Sequence, residues 1–360
     1  MDQPIKLYDL IVRSCEAGLR LQNTQKGFMP AGHNGPYQDP ETPVRNTSHW
    51  TILFLKAYDI SKENRFLEAA RKALDYLGGQ EARPMGKTFH HRTHPAKDTC
   101  NGLIGQAWTC EALVYAGEFL DEKKYIDLAG EVFLLHPFDR ECGAWQRVAV
   151  DGMTLPYDRT FNHQLWFGAI GSQLSEHNED VREQVIRFTD LLPVHLQVYR
   201  SGLIYHPLIL RFSLKQKAEE LKRLIRQGAG NRKALAHKAI GYHLFNLYGF
   251  SLIYKQMPEL AIWKDRNFRK ALRYAASGEF RHLLPSNPYG YAYNPPGIEM
   301  ACVMDTFGTG DQKQQAEWVE KQLKHSWNDE SNFMERNTKD PLTLSARLYE
   351  AVRLPNLEII

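Results

Sequence analysis

Between Tyr157 and Gly168 the chain reads Tyr-Asp-Arg-Thr-Phe-Asn-His-Gln-Leu-Trp-Phe-Gly. Polar groups crowd its first half, and an apolar run from Leu165 to Leu174 follows at once. This is the pattern of a buried helix whose opening turn faces something polar. Imidazole is the side chain whose ordinary titration lies near neutral pH, so His163 is the first choice for a base. Asn162, Arg159 and the N–H groups of the helix end can neutralise a carboxylate, which renders the proton on the neighbouring carbon acidic. Asp158 adds a carboxylate beside them.

Comparable junctions recur. They hold His49 and Trp50; His94, Asp98 and Asn101; His237, Tyr242 and His243; Tyr291, Tyr293, Asn294 and Glu299; and Glu335, Arg336, Asn337 and Asp340. Aromatic rings mixed with carboxylates and imidazoles suit a sugar: rings stack on its apolar faces and polar groups take its hydroxyls. Two chemistries fit. In the first, His163 abstracts a proton beside a uronate carboxylate held by Asn162 and Arg159, and Tyr242 or Tyr293 supplies the acid. Expulsion of the C4 substituent makes that a lyase; return of the proton makes it an epimerase. In the second, two carboxyls among Asp98, Asp158 and Glu299 flank a glycosidic bond. His49, Trp50, His94, Asn101, Tyr293, Glu299 and Arg159 are the expected binding groups. Each also has a structural alternative. Asp98 and Asp158 are good helix caps, Tyr242 and His243 suit a core, Glu299 complements a helix dipole, and His90 and His91 read as surface loop residues.

The elements that would position these groups repeat. Apolar helices are expected near His49–Ile60, from Asp98-Thr99 through Phe119, over Asp158–Leu174, over Ala234–Tyr254, from Gly297 past Asp305, and over Leu342–Val352. Asn46-Thr47-Ser48 would cap the first. Amphipathic partners are expected over Asp9–Leu21, Arg65–Leu77, Tyr125–Leu135, Val181–Leu192, Phe268–Ala276 and Gln312–Ser326. A small hairpin is expected around Ala144–Val150, and a short strand pair within Ser201–Leu208. A polar helix carrying Lys215, Lys217, Lys222, Arg223 and Arg226 reads as a solvated insertion near 212–232. Six apolar helices with six partners, linked by long loops on one side only, predict an all-α fold. The expected form is an (α/α)6 barrel, one domain over 1–360, with the long loops and small β-hairpins at one end. That end gathers the inner-helix N-termini into a funnel suited to an anionic or hydroxyl-rich ligand.

This layout resembles the α/α-toroid carbohydrate-active enzymes. These include polysaccharide lyases of the alginate-lyase type, uronyl C5-epimerases and unsaturated glucuronyl hydrolases. Asn162-His163-Gln164-Leu165-Trp166 is similar to the Asn-His pair before an aromatic residue in the lyases. Asn101-Gly102-Leu103-Ile104-Gly105 looks like a helix start among C5-epimerases. The Arg-Gly-Asn-Gly-Trp signature of one hydrolase group and the adjacent Asp-Asp pair of some toroid mannanases are absent. The resemblance implies an enzyme acting on an acidic oligo- or polysaccharide, with a glycoside hydrolase as the alternative. A non-catalytic helical-repeat binding protein is the third reading.

Composition narrows the classes. The 360 residues are 43% hydrophobic, enough for a large core. A net charge of +3, from 45 basic and 42 acidic residues, gives no electrostatic case for nucleic acid. No apolar stretch is long enough for a membrane span, and Met1–Lys6 lacks the apolar core of a secretory signal, so the expectation is cytoplasmic. Cys15, Cys100, Cys110, Cys142 and Cys302 are too scattered for a disulfide framework or a zinc site and read as small buried side chains. No metal or cofactor is expected.

Overall fold

The computed structural model describes residues 5–210 and 228–359. Its helices, in chain order, are α1 (Leu7–Leu19), α2 (Val44–Ser61), α3 (Asn64–Gly78), α4 (Gly102–Leu120), α5 (Lys123–Leu134), α6 (Phe161–Leu174) and α7 (Glu179–His195). They continue with α8 (Gly228–Gln256), α9 (Arg266–Ala275), α10 (Gly278–Leu283), α11 (Pro296–Phe307), α12 (Gln312–Ser326) and α13 (Pro341–Ala346), which runs on as a 3₁₀ segment, Arg347–Arg353. The inner ring is α2, α4, α6, α8, α11 and the α13–3₁₀ unit. Each packs on the next, and the last returns to α2. This is the expected (α/α)6 toroid.

Periodicity assigns each helix to its layer. In α4 nearly every position from Gly102 to Gly117 is buried, because the helix has neighbours all round. Outer α3 instead buries one stripe, Phe66, Ala69, Ala70, Ala73, Leu74 and Leu77. Between the rings, Trp50 of α2 lies where any side chain at Gly18 of α1 would collide with it, 2.4 Å from a built Cβ. Closure is tied by backbone. Strand Ile5–Lys6 pairs antiparallel with Glu358–Ile359, and the Leu7 N–H donates to the Leu357 carbonyl at 2.8 Å.

Several local expectations are corrected. Helix α2 begins at Val44, so Asn46, Thr47 and Ser48 lie inside it rather than capping it. The Thr47 and Ser48 hydroxyls return to the carbonyls of Pro43 and Val44, and Asn46 holds the Pro30 carbonyl of the preceding loop. His49 is thereby carried below the mouth. Ser201–Leu208 forms no strand pair; it makes only the isolated bridges Val198↔Ile204 and Thr160↔Pro207. The last inner helix tightens to 3₁₀ at Arg347, where side chains three apart line up. Helix α8 starts earlier than expected, at Gly228. The charged stretch from Lys215 to Arg226 falls outside the described residues. The hairpin before α6 is present, as a three-stranded sheet of Phe138–Asp139, Ala144–Val148 and Thr154–Tyr157. Among the described residues no helix is long and apolar enough to cross a membrane. All five cysteines are free and buried.

Candidate functional site

The sheet before α6 delivers the chain to Asp158, which is buried with an accessible surface of 5%. Its Oδ2 lies 2.8 Å from His163 Nδ1, and it also accepts the Leu103 N–H at 3.1 Å. Burial alone would raise this carboxyl. The charge and hydrogen bond of His163, the Leu103 N–H and Arg147 outweigh it and hold the pKa down at about 2. An ionised Asp158 can only accept, so in the neutral imidazole of His163 the proton sits on Nδ1 and the Nε2 lone pair is left for the cavity. The ring is 25% exposed, enough to meet a ligand.

The facing helix makes this approach possible. Asn101 and Gly102 open α4 with successive left-handed residues, φ 56° and 60°. A Cβ on Gly102 would sit 2.4 Å from Asp158 Oδ2 and 3.2 Å from His163 Nδ1. Glycine is needed there both for its φ and for the space.

His163 looks into a cavity of about 160 Å³ at the loop end of the ring. Asn162, Asn101, Ile104 and Trp108 line the same side. Asn162 is buried, and its Oδ1 has no hydrogen-bond partner among the described residues. Helix α8 contributes Lys238, Tyr242 and Phe245, at i, i+4 and i+7 on one face. The segment after α7, which bridges back to Thr160 through Pro207, adds His206. Burial first, then the charges of Lys238 and His163, keep this imidazole neutral, far below its ordinary range. Tyr242 and Tyr37 share a hydrogen bond of 2.8 Å between their hydroxyls. Burial, then neighbouring Tyr293 and Tyr37, push the Tyr242 phenol well up, so it stays protonated.

Charge in the lining is mostly positive: Arg92, Lys97, Lys238 and Arg347 against Asp39. Asp39 is engaged, at 2.5 Å by Lys97 and 3.5 Å by Arg92. Arg347 is held from behind. It meets Glu350 Oε1 at 2.5 Å and Glu299 Oε1 at 3.1 Å, and it donates to Asn294. Among the described residues no three His, Cys, Asp or Glu side chains converge as a metal set.

No protein-family model matches the chain. Archaeal glycosylation protein Q of Haloferax volcanii is 44% identical over 366 residues, covering 98% of this chain and 98% of that protein. The chain belongs to that protein's family. The ring itself is shared more widely. A cellobiose 2-epimerase from Bacillus thermoamylovorans superposes with a TM-score of 0.65 at 12% identity, over 96% of this chain and 98% of the other. An unsaturated glucuronyl hydrolase specific for heparin gives 0.60 at 12% identity, over 96% and 95%. At such identities the likeness is one of fold, the α/α toroid.

Within this family member, the cavity gathers His163, Asn162, Asn101, Tyr242, Tyr293 and Asn294 from the residues singled out in the sequence, with Asp158 directly behind His163. The others lie elsewhere. Asp98 is no free carboxylate: it accepts the Gly102 N–H at 2.8 Å and pairs with Arg147 at 2.8 Å and Arg92 at 3.2 Å. Glu299 is fully buried behind Arg347. His49 is buried and stacks on Tyr349 at 4.2 Å, with neither ring nitrogen hydrogen-bonded among the described residues. Trp50 faces the outer ring. His94 and Arg159 lie outside the lining; Arg159 is exposed, and the His94 ring accepts the Ala96 N–H at 3.1 Å. His91, expected at the surface, is buried and bonded to Thr109 at 3.2 Å. Sequence reasoning missed Asn34, Tyr37, Asp39, Arg92, Lys97, His206, Lys238 and Arg347. Lys238 was findable, since it shares a helix face with Tyr242. Arg347 was not, because nothing local marks its aim at the cavity.

Proposed function

We propose that this protein is a carbohydrate-active enzyme that abstracts the C5 proton of a uronate unit, as an epimerase or lyase. The observation that carries the reading is the Asp158–His163 pair, a base with an oriented imidazole opening into a cavity whose charged lining groups are mostly cations. In the proposed step His163 Nε2 takes the proton at C5. The pair of electrons moves into the adjacent carboxylate, and the added negative charge is met by the cationic lining. The protonated Tyr242 is the proton carrier on the facing wall, while neutral His206 can only accept or share a hydrogen bond. Tyr242 can return a proton to C5 or protonate a departing O4.

Family membership supports a carbohydrate role, since the Haloferax protein is named for glycosylation. The cellobiose 2-epimerase and glucuronyl hydrolase neighbours show that this ring accommodates sugar chemistry. Retaining or inverting hydrolysis needs two available carboxyls. Here Asp158 is bound to His163, Asp98 to two arginines, Glu299 to Arg347 and Asp39 to Lys97. Proton transfer therefore fits the pairing better than hydrolysis. The cavity, about 160 Å³, favours a sugar unit or an oligosaccharide end over the middle of a long chain.

The test is incubation with a panel of uronate-bearing saccharides in deuterated water. Deuterium at C5 without cleavage identifies an epimerase, and new ultraviolet absorbance from an unsaturated uronate identifies a lyase. Both signals should vanish in His163→Ala. New reducing ends with neither signal would overturn the reading in favour of hydrolysis.

A further inference from the structure

One cation of the lining is held differently from the rest. Lys238 projects from α8 with its ammonium 4.6 Å from the ring centre of Tyr37 and 5.7 Å from those of Tyr242 and Tyr289. Three aromatic faces attract and position the charge. They do not satisfy its three N–H donors, because ring faces are poor acceptors beside a carboxylate. Among the described residues Lys238 has no ion pair and no hydrogen-bond acceptor. Every other cation of the lining has one. Arg92 is paired with Asp39 and Asp98, Lys97 with Asp39, and Arg347 with Glu299 and Glu350.

A half-buried ammonium without a counter-ion costs stability, and the cost is recovered when an anion arrives. The aromatic cradle fixes where that anion must sit: on the open side of the nitrogen, in the cavity shared with His163. We infer that Lys238 is the specificity residue of this site, the counter-ion of the sugar's carboxylate, which selects uronates over neutral hexoses. The inference rests on the uronate reading above and adds to it the contact that recognises the acid group.

Its pH signature follows from the surroundings. Burial, then the like charge of Lys97, lower Lys238 to about 8. The groups facing it are Tyr37 from the first long loop, Tyr242 of its own helix and Tyr289 from the loop before α11. Lys97 and neutral His206 lie nearby, and Asp39 is held by Lys97. None is an ionised carboxylate free to take over its role. The ammonium is charged below that pH and loses its charge above it, so uronate preference should fade as pH rises through about 8.

Calorimetric titration of the full-length protein tests this, with glucuronate, galacturonate and mannuronate as probes, each beside its neutral hexose. The wild type should prefer at least one uronate. In Lys238→Met, which keeps the apolar stem in the aromatic cradle, that preference should fall by about 10- to 100-fold, the range for losing a hydrogen bond to a charged group. Hexose affinity should be little changed. Lys238→Arg should keep the preference and carry it to higher pH, because guanidinium stays charged. A Lys238→Met protein that is folded by circular dichroism and keeps its uronate preference overturns the inference. It leaves the proton-transfer reading intact, since that is scored by deuterium at C5. A wild type with no preference for any uronate overturns both.

Discussion

Two tiers of charge sit at the axis of this ring, and they are built on opposite rules. In the lower tier every arginine has a carboxylate. Arg45 meets Glu41 at 3.1 Å, Arg347 meets Glu350 and Glu299, and Arg353 meets Glu111 at 2.8 Å. The 3₁₀ geometry stacks Arg347, Glu350 and Arg353 in one row, so two buried helix residues can hold one another. In the upper tier, around the cavity, matching is incomplete. Asp158 orients His163 but leaves its Nε2 open, and Lys238 has aromatic neighbours in place of a carboxylate. Matched charges hold the frame in place; the groups left unmatched are the ones able to meet a ligand. The comparison also explains why so many carboxylates near the mouth are unsuited to hydrolysis.

If the tiers divide the work in this way, substitutions should separate activity from stability. The largest effect is expected at His163. His163→Ala should lower turnover by about 10²–10⁴-fold, the range for a lost general base, with a smaller stability cost of about 1–3 kcal/mol because buried Asp158 loses its partner. Equal losses in both would break the comparison. Arg347→Met should cost about 3–5 kcal/mol in urea unfolding, because Glu299 and Glu350 would be left buried without their partner.

Asp158→Asn sharpens the boundary, since Asp158 belongs to both tiers. Its folded pKa lies below the unfolded one, so its pairing stabilises the protein fully above about 4 and is lost as pH falls toward about 2. The variant should be less stable by about 2 kcal/mol at neutral pH. The gap from wild type should close as pH is lowered through that window in a thermal-melt series. Its turnover should also fall, because Asn no longer fixes the imidazole's tautomer. Asp98→Asn is the smallest change expected, about 1 kcal/mol: the amide oxygen can still accept the Gly102 N–H, while the partly buried pairs with Arg92 and Arg147 lose their charge. Turnover should drop less than about tenfold, an indirect effect through Arg92. A collapse of activity there would return Asp98 to the candidate catalytic residues.

Part of this site was legible before any coordinates. The stretch Asp158–His163 declared itself by dense polar types before an apolar run, and Asn101-Gly102 by a glycine at a helix start. Both are local signals, and the structure joins them at one point. The same reasoning put Glu299 and Asp98 in the funnel, because each opens or precedes an inner helix. It could not see that arginines from Arg92, Arg147 and Arg347 would reach them first. His49 was misplaced because the helix begins five residues earlier, at Val44, where Thr47 and Ser48 bond back into the helix.

The sequence by itself determined the ring, since the helical period of its apolar residues and the placement of its long loops are properties of short windows of chain. It also determined which helix starts would face the mouth. Only the tertiary structure decided which charges are matched. Pairing is settled at about 3 Å between residues far apart in the chain, as with Asp39 and Lys97 or Arg347 and Glu299. No local pattern carries that information, and in this protein it separates the residues that hold the frame from those left facing the cavity.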